Sequence, residues 1–372
     1  MSEKAKNYVV TLLFCGFIGI LMLLMLLLPD EDISKSERRK LAQLPAISFE
    51  SVASGEFMSG FETYSVDQFP ARDSFRRLKA ITSFYALGQK DNNGIFIAGG
   101  QASRLEYPQN QESMDYAVGR IENIYNLYLK DKDVNAYLCI IPDKNRYIAA
   151  KNGYPSLDYE DFSKQISSAV SEYAQNIEIS NLLEADDYFS TDIHWRQEKI
   201  IDVAQRLAEK MGTPFSKDFE EVTLDIPFWG VYAGQSALPL KADELKYITS
   251  PAIESATAFD YESNSEIPIY SMELAEGRDP YEMYLCGSKS LITIENPDAL
   301  SDKELVIFRD SFGSTLAPLL IDSYKKITLV DIRYLQSGFV GRFVDFNNQD
   351  NGGLDVLFLY SVPVLNNSST MK

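Results

Sequence analysis

The chain opens with an uncharged apolar run from Tyr8 to Leu28, and this run constrains the fold more than any other feature. It has 21 residues, and a helix of that length, at about 1.5 Å per residue, spans roughly 31 Å, the thickness of the hydrocarbon core of a bilayer. An unpaired backbone group in lipid costs several kcal/mol, so a helix is the only favourable form for a single crossing. The sequence therefore predicts one N-terminal transmembrane helix.

The charges that flank this run predict its orientation. Lys4 and Lys6 precede it, and the acidic residues 30–32 follow it. Positive charge stays inside, which predicts a cytoplasmic N-terminus and an extracytoplasmic chain after the helix, although the basic residues 38–40 weaken this pattern. The alternative is a cleaved signal peptide, but the run is longer than a signal core, and residues 26–30 offer no small-x-small cleavage site. We therefore expect a single-pass protein of the cell membrane.

Charge and cysteine content exclude several classes of function. The net charge is −19, and a surface that negative repels nucleic-acid phosphates. The chain has one histidine and three cysteines without a CxxC pair, so a Cys/His zinc site is excluded and no cofactor is predicted. A disulfide between Cys139 and Cys286 is possible, but two buried free thiols are the favoured alternative.

The pattern after the anchor predicts an α/β domain with a parallel sheet covered by helices on both sides. Continuous apolar runs typical of buried strands occur at 134–141, 304–308, 326–331 and 354–360. Helical patterns lie between them at 160–175, 196–211 and 313–324, and earlier ones occupy 49–90 and 111–130, with a short strand at 95–97 between these two. Residues 215–300 show no regular pattern, and part of them is interpreted as an insertion that shapes a site.

These patterns divide the chain into four predicted regions. Residues 1–29 are the cytoplasmic tip and anchor, and residues 30–91 are a stalk with a helical lead-in. Residues 92–363 are predicted to form the α/β domain. The polar residues 364–372 are predicted to be a disordered tail.

The only histidine, His194, lies in the motif Thr191-Asp192-Ile193-His194-Trp195. Imidazole is the one side chain that both takes and gives a proton near neutrality. Asp192, two positions earlier, can reach the ring and fix its tautomer, and Trp195 can wall a pocket. The alternative is a surface or core histidine with a single hydrogen bond, but the position of this motif in a loop just before a helix favours a functional role.

A second motif runs from an apolar strand into Arg309-Asp310-Ser311-Phe312-Gly313 and then into a helix. Ser311 therefore lies at the carboxyl end of a strand, where open α/β sheets place their sites. The start of the following helix offers backbone N–H groups that can stabilise an oxyanion. The alternative is that Asp310 or Ser311 only caps that helix.

A weaker third element, Tyr284-Leu285-Cys286-Gly287-Ser288-Lys289, offers a glycine N–H beside a polar side chain, and a turn at a strand end explains it equally well. The candidates for oxyanion or substrate contacts are Gly287, Ser288, Trp195, Arg309 and Tyr284.

Taken together, these motifs resemble the DHHW family and the related SGNH-like domains of alginate-type O-acetyltransferases. The resemblance rests on Asp192-x-His194-Trp195 and on the later strand that ends in Asp310-Ser311-Phe312-Gly313. Further similar stretches are Arg39 to Pro45, Phe57-Met58, Asp67-Gln68-Phe69-Pro70-Ala71-Arg72-Asp73 and Asp331 to Tyr334. Two departures are Ile193 in place of the first histidine of the DHHW pattern and the lack of an evident Gly-x-Asn element.

The resemblance implies an SGNH-hydrolase-like three-layer α/β/α fold in permuted order. It implies that Ser311 is the nucleophile, His194 the general base and Asp192 its orienting acid. It also implies acetyl transfer to an exported polysaccharide, with a multispanning membrane acyltransferase as the acyl donor. A carbohydrate esterase with the same triad and a non-catalytic polysaccharide-binding scaffold are the alternatives.

Overall fold

The computed structural model describes residues 1–347 and 353–372. They form two compact units. One unit comprises Met1–Asn93 and Ala233–Pro239, and the other comprises Gly94–Tyr232 and Leu240–Lys372.

The first unit is mainly helical. Helix α1 begins after the side chain of Ser2 caps its N-terminus, and none of its residues is buried. Within the described chain it is the one helix long and apolar enough to cross a membrane. The elements of this unit are α1 (Glu3–Leu27), β1 (Ile33–Ser34), β2 (Arg39–Lys40), α2 (Phe49–Ala53), α3 (Glu56–Asp67) and α4 (Arg72–Ile81), followed by a π-helical turn at Thr82–Ala86.

An ion-pair network ties the segment after α1 to α3 and α4. Asp67 is 6% exposed and accepts two hydrogen bonds from the guanidinium of Arg39, at 2.8 and 2.5 Å. These bonds lower the pKa of Asp67 to about 2. Glu37 pairs with Arg72 at 2.5 Å and with Arg76 at 3.2 Å. These bonds therefore fix the segment that contains Glu37 and Arg39 against α3 and α4.

The second unit is built on an eight-stranded sheet with the order β10-β9-β11-β13-β12-β14-β5-β6. Its strands are β5 (Val134–Ile141), β6 (Gln175–Asn176), β9 (Thr257–Asp260), β10 (Ser265–Ile267), β11 (Leu291–Glu295), β12 (Glu304–Arg309), β13 (Lys326–Val330) and β14 (Leu354–Ser361). Two hairpins lie outside it, β3 (Ile95–Ala98) with β4 (Gln101–Arg104), and β7 (Glu220–Phe228) with β8 (Asp243–Thr249). The helices are α5 (Gln111–Ile124), α6 (Asn145–Ile148), α7 (Tyr159–Val170), α8 (Ile201–Met211), α10 (Pro251–Ser255), α11 (Met272–Ala275), α12 (Gly313–Leu316) and α13 (Val362–Asn366). Helix α9 (Val231–Ser236) begins in this unit, and its residues from Ala233 onward belong to the first unit.

The central strands separate two apolar cores because their side chains alternate between the faces of the sheet. On β14, Leu357 and Leu359 face the core that contains α8 and the 3-10 segment 317–323. Val356 and Phe358 face the core that contains α5 and α7. Burying a side chain of this size contributes roughly 1.5–3 kcal/mol. This packing confirms the predicted layered α/β architecture.

The sheet is mixed rather than wholly parallel, which corrects the prediction. The five strands from β13 to β6 run parallel, as the apolar runs indicated. Strands β11, β9 and β10 extend one edge in antiparallel pairs. They arise from residues 215–300, where short and partly exposed strands leave no continuous apolar run in the sequence.

The predicted disorder of residues 364–372 is wrong. Ser368 and Met371 are buried, and the Oγ atoms of Ser113 and Ser368 lie 2.9 Å apart. The Nδ2 of Asn366 donates to the carboxylate of Glu106 at 2.6 Å. These polar side chains are ordered because they bond to partners far away in the sequence.

The cysteines are free, but only one of the two thiols that were predicted to be buried is fully buried. Cys139 is buried in β5, and burial raises the pKa of its thiol. Cys286 is half-buried.

Candidate active site

The structure brings the three residues of the predicted triad together. The Nε2 atom of His194 lies 2.7 Å from Oγ of Ser311, and its Nδ1 atom lies 2.6 Å from Oδ1 of Asp192. The side chain of His194 is 14% exposed and that of Asp192 is 2% exposed, so the ring is accessible while the carboxylate is shielded from water. A carboxylate at Nδ1 assigns the proton to that nitrogen, which leaves Nε2 to accept the hydroxyl proton.

A tight turn places Asp192 and His194 side by side. Tyr188 and Trp195 form an antiparallel bridge at its base, and the N–H of Phe189 donates to the His194 carbonyl at 3.1 Å. The N–H of His194 donates to Oδ1 of Asp192 at 3.2 Å. The spacing of two residues thus allows one carboxylate to bind both the backbone and the ring of the histidine.

Two charged side chains hold this turn through complementary hydrogen bonds. The ammonium group of Lys144 donates to the carbonyls of Phe189 at 2.7 Å and Ser190 at 3.4 Å. The carboxylate of Asp243 accepts from the N–H groups of Ser190 and Thr191, both at 2.8 Å. Lys144 is 1% exposed, and burial lowers its pKa to about 7 against the opposing effect of nearby carboxylates. The position of the turn is therefore set by groups outside the triad.

The backbone around Gly230 holds the second oxygen of the triad aspartate. The N–H of Val231 donates to Oδ2 of Asp192 at 2.7 Å, and the N–H of Gly230 donates to Oγ1 of Thr191 at 2.7 Å. A Cβ on Gly230 would lie 2.3 Å from the Cβ of Asp192. Only glycine permits this close approach.

The turn that carries Ser311 is fixed by a buried aspartate. Strand β12 ends at Arg309, and Asp310 is fully buried. Its Oδ2 accepts from the N–H and the hydroxyl of Ser361 at 2.8 and 2.6 Å, and its Oδ1 accepts from the N–H of Phe312 at 3.0 Å. Asp310 therefore caps the turn, and the Ser311 hydroxyl is left to face His194.

The N–H groups at the start of α12 already donate within their own turn, so they are not the free oxyanion donors that the sequence predicted. The N–H of Phe312 is bound to the Asp310 side chain, that of Gly313 donates to the Asp310 carbonyl at 3.1 Å, and that of Ser314 donates to the Ser311 carbonyl at 3.2 Å. In residues 1–347 and 353–372, no hydrogen bond engages the N–H of Ser311 itself.

Aromatic side chains surround the imidazole. The ring of Tyr281 lies parallel to that of His194, with centroids 3.7 Å apart and an interplanar angle of 8°, and Phe312 lies 5.0 Å away. Trp195 is fully buried and donates from Nε1 to Oγ1 of Thr315 at 2.7 Å. Trp195 therefore packs behind the site instead of forming a wall open to substrate.

Arg309 is a buried link between two loops. Its guanidinium donates to the Asp310 carbonyl and to Oγ of Ser314, both at 3.3 Å, and to the Lys289 carbonyl at 3.4 Å. Arg309 is fully buried, so these contacts connect the serine turn to the 284–289 element and do not present the charge to substrate.

The remaining candidates lie in a tight turn. The hydroxyl of buried Tyr284 donates to the Lys246 carbonyl. The N–H of Gly287 donates to the Tyr284 carbonyl at 3.2 Å, and a Cβ there would meet the Glu282 side chain at 2.9 Å. These bonds favour the turn interpretation for both residues. Ser288 is exposed and stays a candidate for substrate contact.

Several residues that contact the triad or its turns were not predicted from the sequence. Gly230, Val231, Asp243 and Tyr281 all come from residues 215–300, which carry no periodicity. Lys144 had one usable signal, because it follows the buried strand β5 at the same sheet edge as Ser311.

Comparisons with known proteins support the fold. No family model matches the chain, and no curated protein matches its sequence. A DHHW family protein from Eubacterium siraeum has a TM-score of 0.56 at 20% identity, covering 76% of this chain and 95% of that one. PatB1 from Bacillus cereus with a sulfonyl adduct has a TM-score of 0.56 at 19% identity, covering 73% and 95%, and a further PatB1 structure scores 0.54 at 18% identity, covering 73% and 96%. The chain thus has the fold of a DHHW family protein, as its motifs predicted.

Proposed function

We propose that this chain is a membrane-anchored O-acyltransferase that acetylates a polysaccharide outside the cytoplasm, using Ser311, His194 and Asp192. The observation that carries the proposal is the continuous hydrogen-bond chain from the carboxylate through the imidazole to the hydroxyl, with links of 2.6 and 2.7 Å. The acetyl group and the polysaccharide follow from the resemblance to alginate-type O-acetyltransferases. The donor is a multispanning membrane acyltransferase.

In the first half-reaction, Oγ of Ser311 attacks the carbonyl carbon of the acyl donor while its proton passes to Nε2 of His194. The tetrahedral intermediate collapses when the bond to the leaving oxygen breaks and that oxygen takes the proton from the imidazolium. Asp192 stabilises the imidazolium between these two events. The product is an acyl ester of Ser311.

In the second half-reaction, a sugar hydroxyl replaces the donor alcohol. His194 removes its proton, the sugar oxygen attacks the ester, and Ser311 leaves as the hydroxyl after it regains the proton. The N–H of Ser311 is the candidate donor to the oxyanion in both steps, since it has no other hydrogen bond in the described chain. One such donor contributes about 10²–10³-fold to turnover.

A carbohydrate esterase is the second candidate, because the 14% exposure of the His194 side chain lets water compete with a sugar hydroxyl. A scaffold without activity would tolerate a wide separation of serine and histidine, and the short contact disfavours it.

The test uses the full-length protein in detergent with a chromogenic acetyl ester. Wild type releases the alcohol, and Ser311→Ala and His194→Ala each lose nearly all release, because triad members act as a unit. Ser168→Ala, at an exposed position on α7, serves as the control and retains wild-type turnover. Wild-type turnover in either triad variant refutes the proposal.

Adding oligosaccharides to the same assay separates the two enzyme classes. A transferase yields acetylated oligosaccharide at the expense of free acetate, whereas an esterase yields only acetate. The proposed orientation is tested in intact cells with a thiol reagent that cannot cross the membrane. In a Cys15→Ser, Cys286→Ser background, which removes the accessible native thiols, the reagent labels Ser168→Cys and spares Ser2→Cys if the N-terminus is cytoplasmic. The reverse pattern contradicts this orientation.

A further inference from the structure

Tyr281 contacts two members of the triad from outside it. Its ring is parallel to that of His194 at 3.7 Å, and the residue is 6% exposed. Its hydroxyl donates to the Ser311 carbonyl at 3.3 Å and lies 3.2 Å from Oγ1 of Thr315. One side chain therefore contacts both the general base and the backbone of the nucleophile.

The stacking restrains a motion that the triad hydrogen bonds leave open. Asp192 and Ser311 bind the imidazole at Nδ1 and Nε2, and these two bonds define an axis through the ring. Rocking of the ring about that axis changes neither distance much, yet it tilts the Nε2 lone pair away from the serine hydrogen. A parallel aromatic face at 3.7 Å opposes this rocking because the ring edge would run into it.

The same stacking places an electron-rich aromatic face against the general base. An aromatic face attracts a cation held against it, and the attraction is larger where water is excluded. Burial raises the pKa of the Tyr281 hydroxyl, so the ring remains a neutral phenol. The imidazolium that forms when Ser311 attacks therefore lies against a neutral aromatic face, in addition to its contact with Asp192.

The backbone holds Tyr281 in place. It lies in a 3-10 turn, Pro280–Met283, in which its N–H donates to Oδ1 of Asp279 at 3.2 Å. The turn is followed by Leu285, Cys286 and Gly287 with φ angles of 51°, 56° and 82°. Non-glycine residues in this left-handed region are strained, and such strain concentrates at functional sites.

We propose that Tyr281 is a positioning residue for the general base: its ring fixes the plane of His194, and its hydroxyl braces the turn that carries Ser311. This inference rests on the proposed acyl-transfer function. It assigns to the irregular segment 215–300 a direct part in setting the geometry of the triad.

Two substitutions separate the ring from the hydroxyl. Tyr281→Phe keeps the stacking and loses the hydroxyl, and we expect a fall in kcat of no more than about threefold. Tyr281→Leu removes the stacking, and we expect kcat to fall about 10- to 100-fold with KM nearly unchanged, because small misplacements of a catalytic group have effects of that size. The assay is the ester release described above, with full-length protein.

A second measurement does not depend on activity. The chain has one histidine, so the NMR signals of ring-labelled histidine belong to His194 without ambiguity. Protons over an aromatic face are shielded, and we expect the His194 ring signals to move downfield and broaden in Tyr281→Leu but to change little in Tyr281→Phe.

Tyr324→Leu is the matched control for loss of a buried ring. Tyr324 is 1% exposed, and its hydroxyl donates to Asp355 at 2.9 Å at the opposite edge of the sheet. We expect this variant to lose thermal stability while it keeps wild-type turnover and His194 signals at a temperature where it is folded.

Three results would overturn the assignment: a Tyr281→Leu variant with wild-type kcat, a Tyr281→Phe variant as impaired as Tyr281→Leu, or His194 signals that do not respond to Tyr281→Leu. If wild type releases no acyl group, the proposed function fails, and the NMR comparison still decides whether Tyr281 orients the ring.

Discussion

Replacing Gly230 by alanine places a methyl group where the structure has no room for one. The added Cβ would lie 2.3 Å from the Cβ of Asp192 and 2.4 Å from the carbonyl oxygen of Thr191. Non-bonded carbon atoms settle at about 3.5–4.0 Å, so one of the two segments must move by more than about 1 Å. This shift separates Oδ2 of Asp192 from the N–H of Val231, which are 2.7 Å apart.

The expected cost follows from this displacement. A hydrogen bond to a charged group contributes about 1.5–3 kcal/mol, and a displacement of about 1 Å in a catalytic geometry costs up to 10²-fold in rate. Since about 1.4 kcal/mol corresponds to tenfold in rate, we expect kcat for ester release to fall about 10- to 100-fold. KM should change little, because Gly230 supports Asp192 and does not bind the ester.

Gly119→Ala is the matched control. Gly119 lies in α5, and a Cβ there would meet no heavy atom within 4 Å. Alanine is favoured over glycine in a helix by roughly 0.5–1 kcal/mol, so this variant should melt slightly higher and keep full activity. The fall in kcat caused by Gly230→Ala should also be smaller in an Asp192→Asn background, because both substitutions disturb the contact between Asp192 and the N–H of Val231. A Gly230→Ala variant within twofold of wild type would refute the argument.

Three further predictions concern stability. Burial raises the pKa of Glu106 to about 7, so between about pH 4.5 and 7 this carboxyl is protonated in the folded state and ionised in the unfolded state. The free energy of unfolding therefore falls as pH rises through this range. Glu106→Gln should therefore be more stable than wild type by about 3 kcal/mol at pH 8 and show no gain at pH 4.5 in urea unfolding. The pKa of Asp67, lowered to about 2 beside Arg39, gives stability that is present above about pH 4 and lost as pH falls towards 2. Asp67→Asn should lower the free energy of unfolding by about 2 kcal/mol at pH 7 and reduce the loss of stability between about pH 4 and pH 2. Thermal melts that show the same loss of stability in this pH range as wild type would contradict the assignment. Ser361→Ala removes one of the hydrogen bonds to the Asp310 carboxylate and should lower the free energy of unfolding by about 1–3 kcal/mol, and a neutral effect would show that the backbone N–H of Ser361 suffices.

The parallel half of the sheet was predictable because its strands are buried on both faces. The runs at 134–141, 304–308, 326–331 and 354–360 match β5, β12, β13 and β14, since continuous apolar sequence of that length has few other stable forms. The antiparallel edge was not predictable. Strand β10 has three residues, none of them buried. Such a strand forms because it pairs with β9, and its own sequence does not indicate it.

The close approach of Asp192, His194 and Ser311 was predictable from their chemistry. The chain has a single histidine, which lies two residues after an aspartate, and a serine that follows a buried strand. Few other combinations of catalytic residues were therefore available. The groups that hold the triad were not predictable, because contacts such as Val231 to Asp192 or Tyr281 to His194 depend on a segment without periodicity.

The order of the C-terminal tail was also not predictable from the sequence. Its polar composition is typical of disorder, yet the Nδ2 of Asn366 binds Glu106 at 2.6 Å, 260 positions earlier in the chain. Hydrogen-bond partners at that separation leave no local signal in the sequence.

Trapping of the acyl-enzyme tests the central claim most directly. Full-length protein is mixed with an activated acetyl ester, quenched in acid and digested, and the peptides are analysed by mass spectrometry. We predict one acetyl group on the peptide that contains Ser311, located on that serine, and its absence in His194→Ala. An acetyl group on a different residue, or equal labelling of Ser311 in the two proteins, would contradict the account.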